Sequence, residues 1–321
     1  MFDKNQTINT NNIYMENKTL VIILSETRAH ELTFDNFKKN VIDELNADLC
    51  VCIGVKPDYD FENPFYKLAK YRFLYNEPDD FGDAFDYAYE IISKNRSEYE
   101  YIKNAHKKPL YWREFLKIKD QWLGGIKDHH NQHAGSGGIL IFFRWFLLHN
   151  LLEHNLIEKY DRFVITRSDF IYNLPHPKVK FMDETRIWIP DSEHYYGYTD
   201  RHVVLSKYNV EQYLNILNNL VLRSNEFFMK MKYNTIWNLE QLIKFNLEQN
   251  CVLNTVVEFP YVMYSVRNIN GSTRWSAGKY SNEYGYYIKY NTEYDKSSYY
   301  KNEFEKSGLT IDEFYKNVCL H

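Results

Sequence analysis

Thr19-Leu20-Val21-Ile22-Ile23-Leu24 is a continuous, β-branched apolar run closed by the polar turn Ser25-Glu26-Thr27-Arg28. Downstream, Phe34, Phe37, Val41, Ile42 and Leu45 recur at helical spacing, and Ala47-Asp48-Leu49-Cys50-Val51-Cys52-Ile53 forms a second apolar run ending at Gly54. The order is strand, helix, strand. Strands apolar on both faces and joined by a helix belong to a parallel sheet covered on both sides, with a right-handed crossover. Such sheets take ligands at the carboxyl ends of their strands, which puts the Ser25 to Arg28 turn at the rim of a site.

Working outward, Asp79-Asp80-Phe81 caps a helix running through Ile92, and Gly135-Ser136-Gly137-Gly138 feeds an apolar helix from Ile139 to about His154. Tyr160 to Phe170 reads as a strand whose last residues turn polar. Short strands follow near Arg186 to Ile189 and His202 to Leu205, then helices around Val210 to Leu222 and Leu239 to Glu248. Val256 to Val266 reads as a strand pair broken by Pro260. No repeat or Pro-rich linker divides the chain. The partition expected is a polar N-terminal segment over residues 1–18, one α/β domain over 19–276, and a Tyr/Lys-rich C-terminal extension over 277–321.

Composition narrows the function classes. The 39 basic residues nearly balance 43 acidic ones, with no basic stretch free of acidic residues, which argues against a nucleic-acid partner. Hydrophobic residues at 44% supply a packed core rather than a disordered chain. Cys50, Cys52, Cys251 and Cys319 show no CxxC spacing and suit a reducing compartment. The N-terminal segment lacks the apolar stretch of a signal peptide, and the longest apolar run, Ile139 to Leu152, contains Arg144 and is too short to span a bilayer. A cytoplasmic protein without a transmembrane segment is expected.

The chemistry concentrates in Val164-Ile165-Thr166-Arg167-Ser168-Asp169, where an apolar strand delivers three polar residues to its carboxyl end. A carboxylate there can ligate a hard divalent cation, and an arginine can pair with phosphate through its planar fork. The same three residues can equally form a surface turn capping the following loop. Asp128-His129-His130-Asn131-Gln132-His133 raises a zinc site, although no HExxH pattern is present, and a substrate-contacting loop is the stronger reading. The glycines after it match neither a GxxxxGK[ST] nor a GxGxxG pattern.

Four signals in order, Leu24 to Arg28, the Tyr160 to Phe170 strand, Gly197-Tyr198-Thr199-Asp200-Arg201 and Trp237-Asn238-Leu239-Glu240-Gln241-Leu242, resemble the GT-A-fold glycosyltransferases of capsular-polysaccharide clusters and large DNA viruses, over about Thr19 to Arg267. The resemblance implies a single-domain GT-A-like α/β fold, with a mostly parallel twisted sheet flanked by helices. It implies transfer of a sugar from a nucleotide-diphosphate sugar to a glycan or other hydroxyl acceptor, in the host cytoplasm if the source is viral. Ser25, Thr27 and Arg28 then correspond to nucleotide contacts, joined by Arg144, Arg167 and Ser168. Asp169 falls on the metal-binding DXD motif and would hold Mn2+ or Mg2+, but with Arg167 and Ile171 beside it the chain offers one carboxylate where the family has two. Asp200, with Asp191 nearby, and Glu240 are the candidates for acceptor and sugar hydroxyls; Glu240 at a helix start is the candidate base. Two rival classes are a non-catalytic glycan- or nucleotide-sugar-binding protein on the same scaffold, motivated by the single carboxylate, and a metal hydrolase built on the histidine cluster.

Overall fold

A computed structural model describes residues 18–94, 125–126, 136–231, 238–270 and 278–319. The expectations for residues 1–17, for the His129 to His133 cluster and for Trp237 fall outside these residues.

The opening strand behaves as its composition requires. In β1 (Thr19–Ser25), Leu20, Ile22 and Leu24 enter one core while Val21 and Ile23 enter the other, because side chains alternate across a pleated strand. β2 (Asp48–Val55) does the same, with Cys50 and Cys52 on the first side and Val51 and Ile53 on the second. β1 pairs in parallel with β2 and with β4 (Arg162–Thr166), and β2 pairs in parallel with the edge strand β3 (Tyr71–Asn76).

Seven strands make the main sheet, in the order β3-β2-β1-β4-β7-β6-β8. β7 (Val203–Ser206) runs antiparallel to both neighbours, while β6 (Ile187–Pro190) and β8 (Val256–Phe259) are parallel. The sheet is therefore mostly parallel and flanked by helices, the α/β class expected from the sequence. Helix α1 (His30–Phe37), continued by a π-helical turn over Lys38–Asp43, lies over the second core with the short α2 (Pro64–Leu68). The first core is filled by α3 (Phe81–Lys94) and α4 (Gly137–Glu153); α4 is apolar all round because it is wrapped by sheet and helices. After the single-turn α5 (Leu156–Lys159), the helix expected over Val210 to Leu222 is interrupted at Asn215, giving α6 (Val210–Leu214) and α7 (Ile216–Leu222). α8 (Ser224–Met231) and α9 (Leu239–Gln249) follow, the Asn238 side chain capping α9 by accepting from the Gln241 N–H at 2.9 Å. Among the described residues no helix is long and apolar enough to cross a membrane.

Two expected strands divide between sheets. β4 ends at Thr166, and the chain turns through Arg167, Ser168 and Asp169 before β5 (Phe170–Tyr172) joins a separate four-stranded sheet, β10-β11-β9-β5. The Val256 to Val266 segment likewise splits at Pro260, which has no N–H for a ladder. β8 stays in the main sheet, and β9 (Met263–Arg267) pairs antiparallel with β5. The C-terminal residues supply β10 (Lys279–Ser281), β11 (Tyr286–Ile288), α10 (Asn291–Ser307) and α11 (Ile311–Cys319). β11 pairs with β9 and α11 buries Phe314 and Tyr315 in the second core, so this segment is built into the fold.

Candidate functional site

Where the small sheet peels away from the main one, a cavity of about 510 Å3 opens at the carboxyl ends of β1 and β4. Its floor is the Ser25 to Arg28 turn and the Arg167 to Asp169 turn, and its sides are the first residues of α4, the Asp200-Arg201 loop and the end of β9. The cavity thus lies where open α/β sheets take their ligands.

Ser25 sits in the left-handed region (φ 84°), and its buried Oγ has no hydrogen-bond partner among the described residues, so it is available to a ligand. Arg28 also lines the cavity and forms an ion pair with Glu26. Thr27 is engaged elsewhere: its Oγ1 is shared with the Tyr59 hydroxyl at 2.8 Å and the Asn63 amide at 3.1 Å. Ser168 ties the two turns together, accepting from the Arg28 N–H at 2.9 Å while its hydroxyl lies 3.1 Å from the Glu26 and Arg28 carbonyls. It fixes the floor rather than offering a free hydroxyl.

Asp169 is 1% exposed and lies between two guanidiniums. Arg167 donates to both of its oxygens, from Nε at 2.8 Å and Nη2 at 2.7 Å, and Arg267 Nη1 donates to Oδ2. Burial opposes ionisation, but the guanidinium charges outweigh it and hold the carboxyl well below the usual range. The position expected to hold Mn2+ or Mg2+ does not fit one: both oxygens are taken by cationic N–H groups, and an incoming cation would meet two guanidiniums. Nor do three His, Cys, Asp or Glu side chains converge as a metal site among the described residues.

Two cations in this wall were not marked by the sequence. Arg267, at the end of β9, repeats the pattern of an apolar strand ending in arginine seen at Arg167, and that signal was available. Lys289, after β11, is one lysine in a Tyr/Lys-rich stretch, and no local pattern singles it out. Burial first, then the charges of Arg167 and Arg267, push its ammonium down to about 7.

Asp200 also borders the cavity, and Glu240, at the start of α9, is near enough to feel its charge. Burial, then the Asp200 carboxylate, pushes the Glu240 carboxyl up to about 8. Gly197 permits this approach: a Cβ there would come within 2.0 Å of the Glu240 carbonyl, and the Tyr198 N–H donates to that carbonyl at 3.0 Å. Arg144, expected at the diphosphate, instead positions the loop. Its Nη2 donates to the Asp200 carbonyl at 3.0 Å and its Nη1 to the Leu140 carbonyl of its own helix at 3.1 Å. Arg201 is also committed, to Glu193 at 2.9 Å and Glu293 of α10 at 2.5 Å, and stacks 4.1 Å from the Tyr290 ring centroid.

Asp191 does not join the site. It accepts from the Tyr261 N–H at 2.9 Å, from Lys296 at 3.0 Å and from the Tyr300 hydroxyl, and so pins α10 to the turn between β8 and β9. The cavity brings together Ser25, Arg28, Arg167, Asp169 and Asp200, with Ser168 as a brace, and Glu240 stands behind Asp200, within reach of its charge but outside the lining. The structure leaves Thr27, Arg144 and Asp191 in structural roles.

No protein-family model matches the chain, and no curated protein matches its sequence. Among solved structures, the apo form of mouse xyloside xylosyltransferase 1 is similar over 75% of this chain and 84% of that one, at 9% identity and a TM-score of 0.34.

Proposed function

We propose that the chain is a glycosyltransferase that binds a nucleotide-diphosphate sugar in the cavity at the carboxyl ends of β1 and β4 and passes the sugar to a hydroxyl acceptor. One observation carries this reading: a single cavity is lined by the cations Arg28, Arg167, Arg267 and Lys289 and by the Asp200 carboxylate, whose charge reaches Glu240 at the start of α9. A leaving diphosphate needs the first and an attacking hydroxyl needs the second.

In this reading Ser25 and Arg28 contact the nucleotide, and Asp200 accepts hydrogen bonds from sugar hydroxyls. Glu240 takes the proton of the acceptor hydroxyl as its oxygen bonds to the anomeric carbon. The bond from that carbon to the β-phosphate oxygen breaks, and the electron pair leaves with the diphosphate, whose charge the cationic wall stabilises. A base with a proton affinity near neutral pH suits the step, since it is strong enough to take the proton and still partly free to do so.

The test is release of nucleoside diphosphate from a panel of uridine-, guanosine-, adenosine- and cytidine-diphosphate sugars, with calorimetry for donor binding. Glu240→Gln is expected to depress turnover strongly with donor affinity nearly unchanged, and Asp200→Asn to weaken donor binding. If no panel member binds or turns over, the transferase reading is wrong.

A further inference from the structure

Arg267 is 2% exposed and lines the cavity. Its Nη1 is committed to Asp169 and to the Val266 carbonyl at 2.6 Å, yet Nε and Nη2 are buried with no hydrogen-bond partner among the described residues. Buried donors left unpaired cost free energy, so their persistence in a cavity wall points to an acceptor that arrives from outside the chain. Lys289, 8% exposed, lines the same cavity, and among the described residues its ammonium makes no hydrogen bond or ion pair. Its ammonium lies 5.0 Å from the centroid of the Tyr290 ring.

The local charge is unbalanced. With Lys289 protonated, Arg167, Arg267 and Lys289 face the single carboxylate of Asp169, an excess of two positive charges in a partly dehydrated wall that an arriving dianion would hold in place. The diphosphate of a nucleotide-sugar carries two negative charges, and its oxygens are acceptors only. Charge, donor supply and burial therefore match that group. They do not match a divalent cation, because Asp169 already spends both oxygens on guanidinium N–H groups.

We propose that Arg267 and Lys289, with Arg167, hold the donor diphosphate without any divalent cation, and that Asp169 is a positioning residue which aligns the two guanidiniums. This rests on the nucleotide-sugar reading above. Arg267 ends β9 and Lys289 directly follows β11, so the small sheet supplies the positive charge that a metal ion would otherwise bring to the main sheet.

The experiment is calorimetry of the full chain with inorganic pyrophosphate and with uridine, guanosine, adenosine and cytidine diphosphates, in EDTA and again in millimolar Mn2+ or Mg2+. The expected result is equal affinity in both conditions for whichever diphosphate binds, with Lys289→Met and Arg267→Met each weakening it about tenfold or more and Lys289→Arg restoring most of the loss. Lys289→Met keeps the stem and removes only an unpaired charge, so it reports even if Arg267→Met fails to fold. Binding that needs Mn2+ or Mg2+, or that is unchanged in Lys289→Met, overturns the proposal. Absence of any pyrophosphate or diphosphate binding overturns it as well. Pyrophosphate binding in EDTA with no nucleotide or nucleotide-sugar binding leaves the cationic seat standing and removes the transferase reading alone.

Discussion

Replacing Glu240 by Gln mimics its protonated form and so isolates what its ionisation costs. In the native chain the carboxyl ionises at about 8, against an ordinary value of 4.5, because it is buried and faces Asp200. The native state therefore holds a proton that the unfolded state has already released between those two values. Stability must fall as pH rises through that window, being fully present below about 4.5 and lost above about 8. Each pH unit corresponds to about 1.4 kcal/mol, which sets a ceiling of roughly 5 kcal/mol across the window. Solvent reaching the half-buried side chain reduces this to on the order of 2–3 kcal/mol, or roughly 4–6 °C in melting temperature for a chain of this size. Melting curves of wild type and Glu240→Gln, recorded from pH 4.5 to 9, should nearly coincide at the acid end, diverge steadily up to about pH 8 and run parallel beyond it, with the variant the more stable. Asp200→Asn should move the break toward lower pH, because it removes the second source of the displacement. Parallel curves over the whole range would refute the assignment, and with it the claim that this pair is tuned for proton transfer.

Asp169→Asn should cost about 3–5 kcal/mol in chemical denaturation, because it strips two buried guanidiniums of their shared counter-charge; a loss under about 1 kcal/mol would show that Arg167 and Arg267 do not depend on it. Gly197→Ala should destabilise by about 1–3 kcal/mol and abolish the Glu240 break in the melting profile, since its Cβ would overlap the Glu240 carbonyl. A melting profile unchanged from wild type would place the loop elsewhere. His176 and His202 touch through Nε2 at 3.1 Å in the core, and burial holds His176 down to about 4 and His202 well below 6.5. Their contribution is present above 6.5 and is lost as pH falls, so His176→Phe should make the acid limb of unfolding shallower by about 1.4 kcal/mol per pH unit; an equal slope would mean that the pair is not neutral in the native state.

Much of the frame was legible locally. Thr19 to Leu24 and Ala47 to Ile53 are apolar at every position that faces a core, and a strand covered on both sides can have no other composition. Arg167, Ser168 and Asp169 were identifiable because polar residues at the end of such a strand must leave the core, and in a parallel sheet they leave it at the ligand-binding edge. Asp200 and Glu240 were likewise marked by their places before β7 and at the start of α9.

What those groups do was decided by residues far away in the chain. Asp169 offers a carboxylate that suits a cation until Arg267, 98 positions on, occupies it. Asp191 has the right chemistry for a sugar hydroxyl until Tyr300 and Lys296 of α10 take it, and Arg144 is drawn to a backbone carbonyl 56 positions away. Lys289 enters the cavity only because β11 pairs with β9. Periodicity reports which face of an element a side chain occupies, but the state of an ionisable group depends on the charges within a few ångströms of it. Arg167 is two positions from Asp169, but Arg267, Lys289 and the Asp200–Glu240 pair come from segments that only the fold brings together.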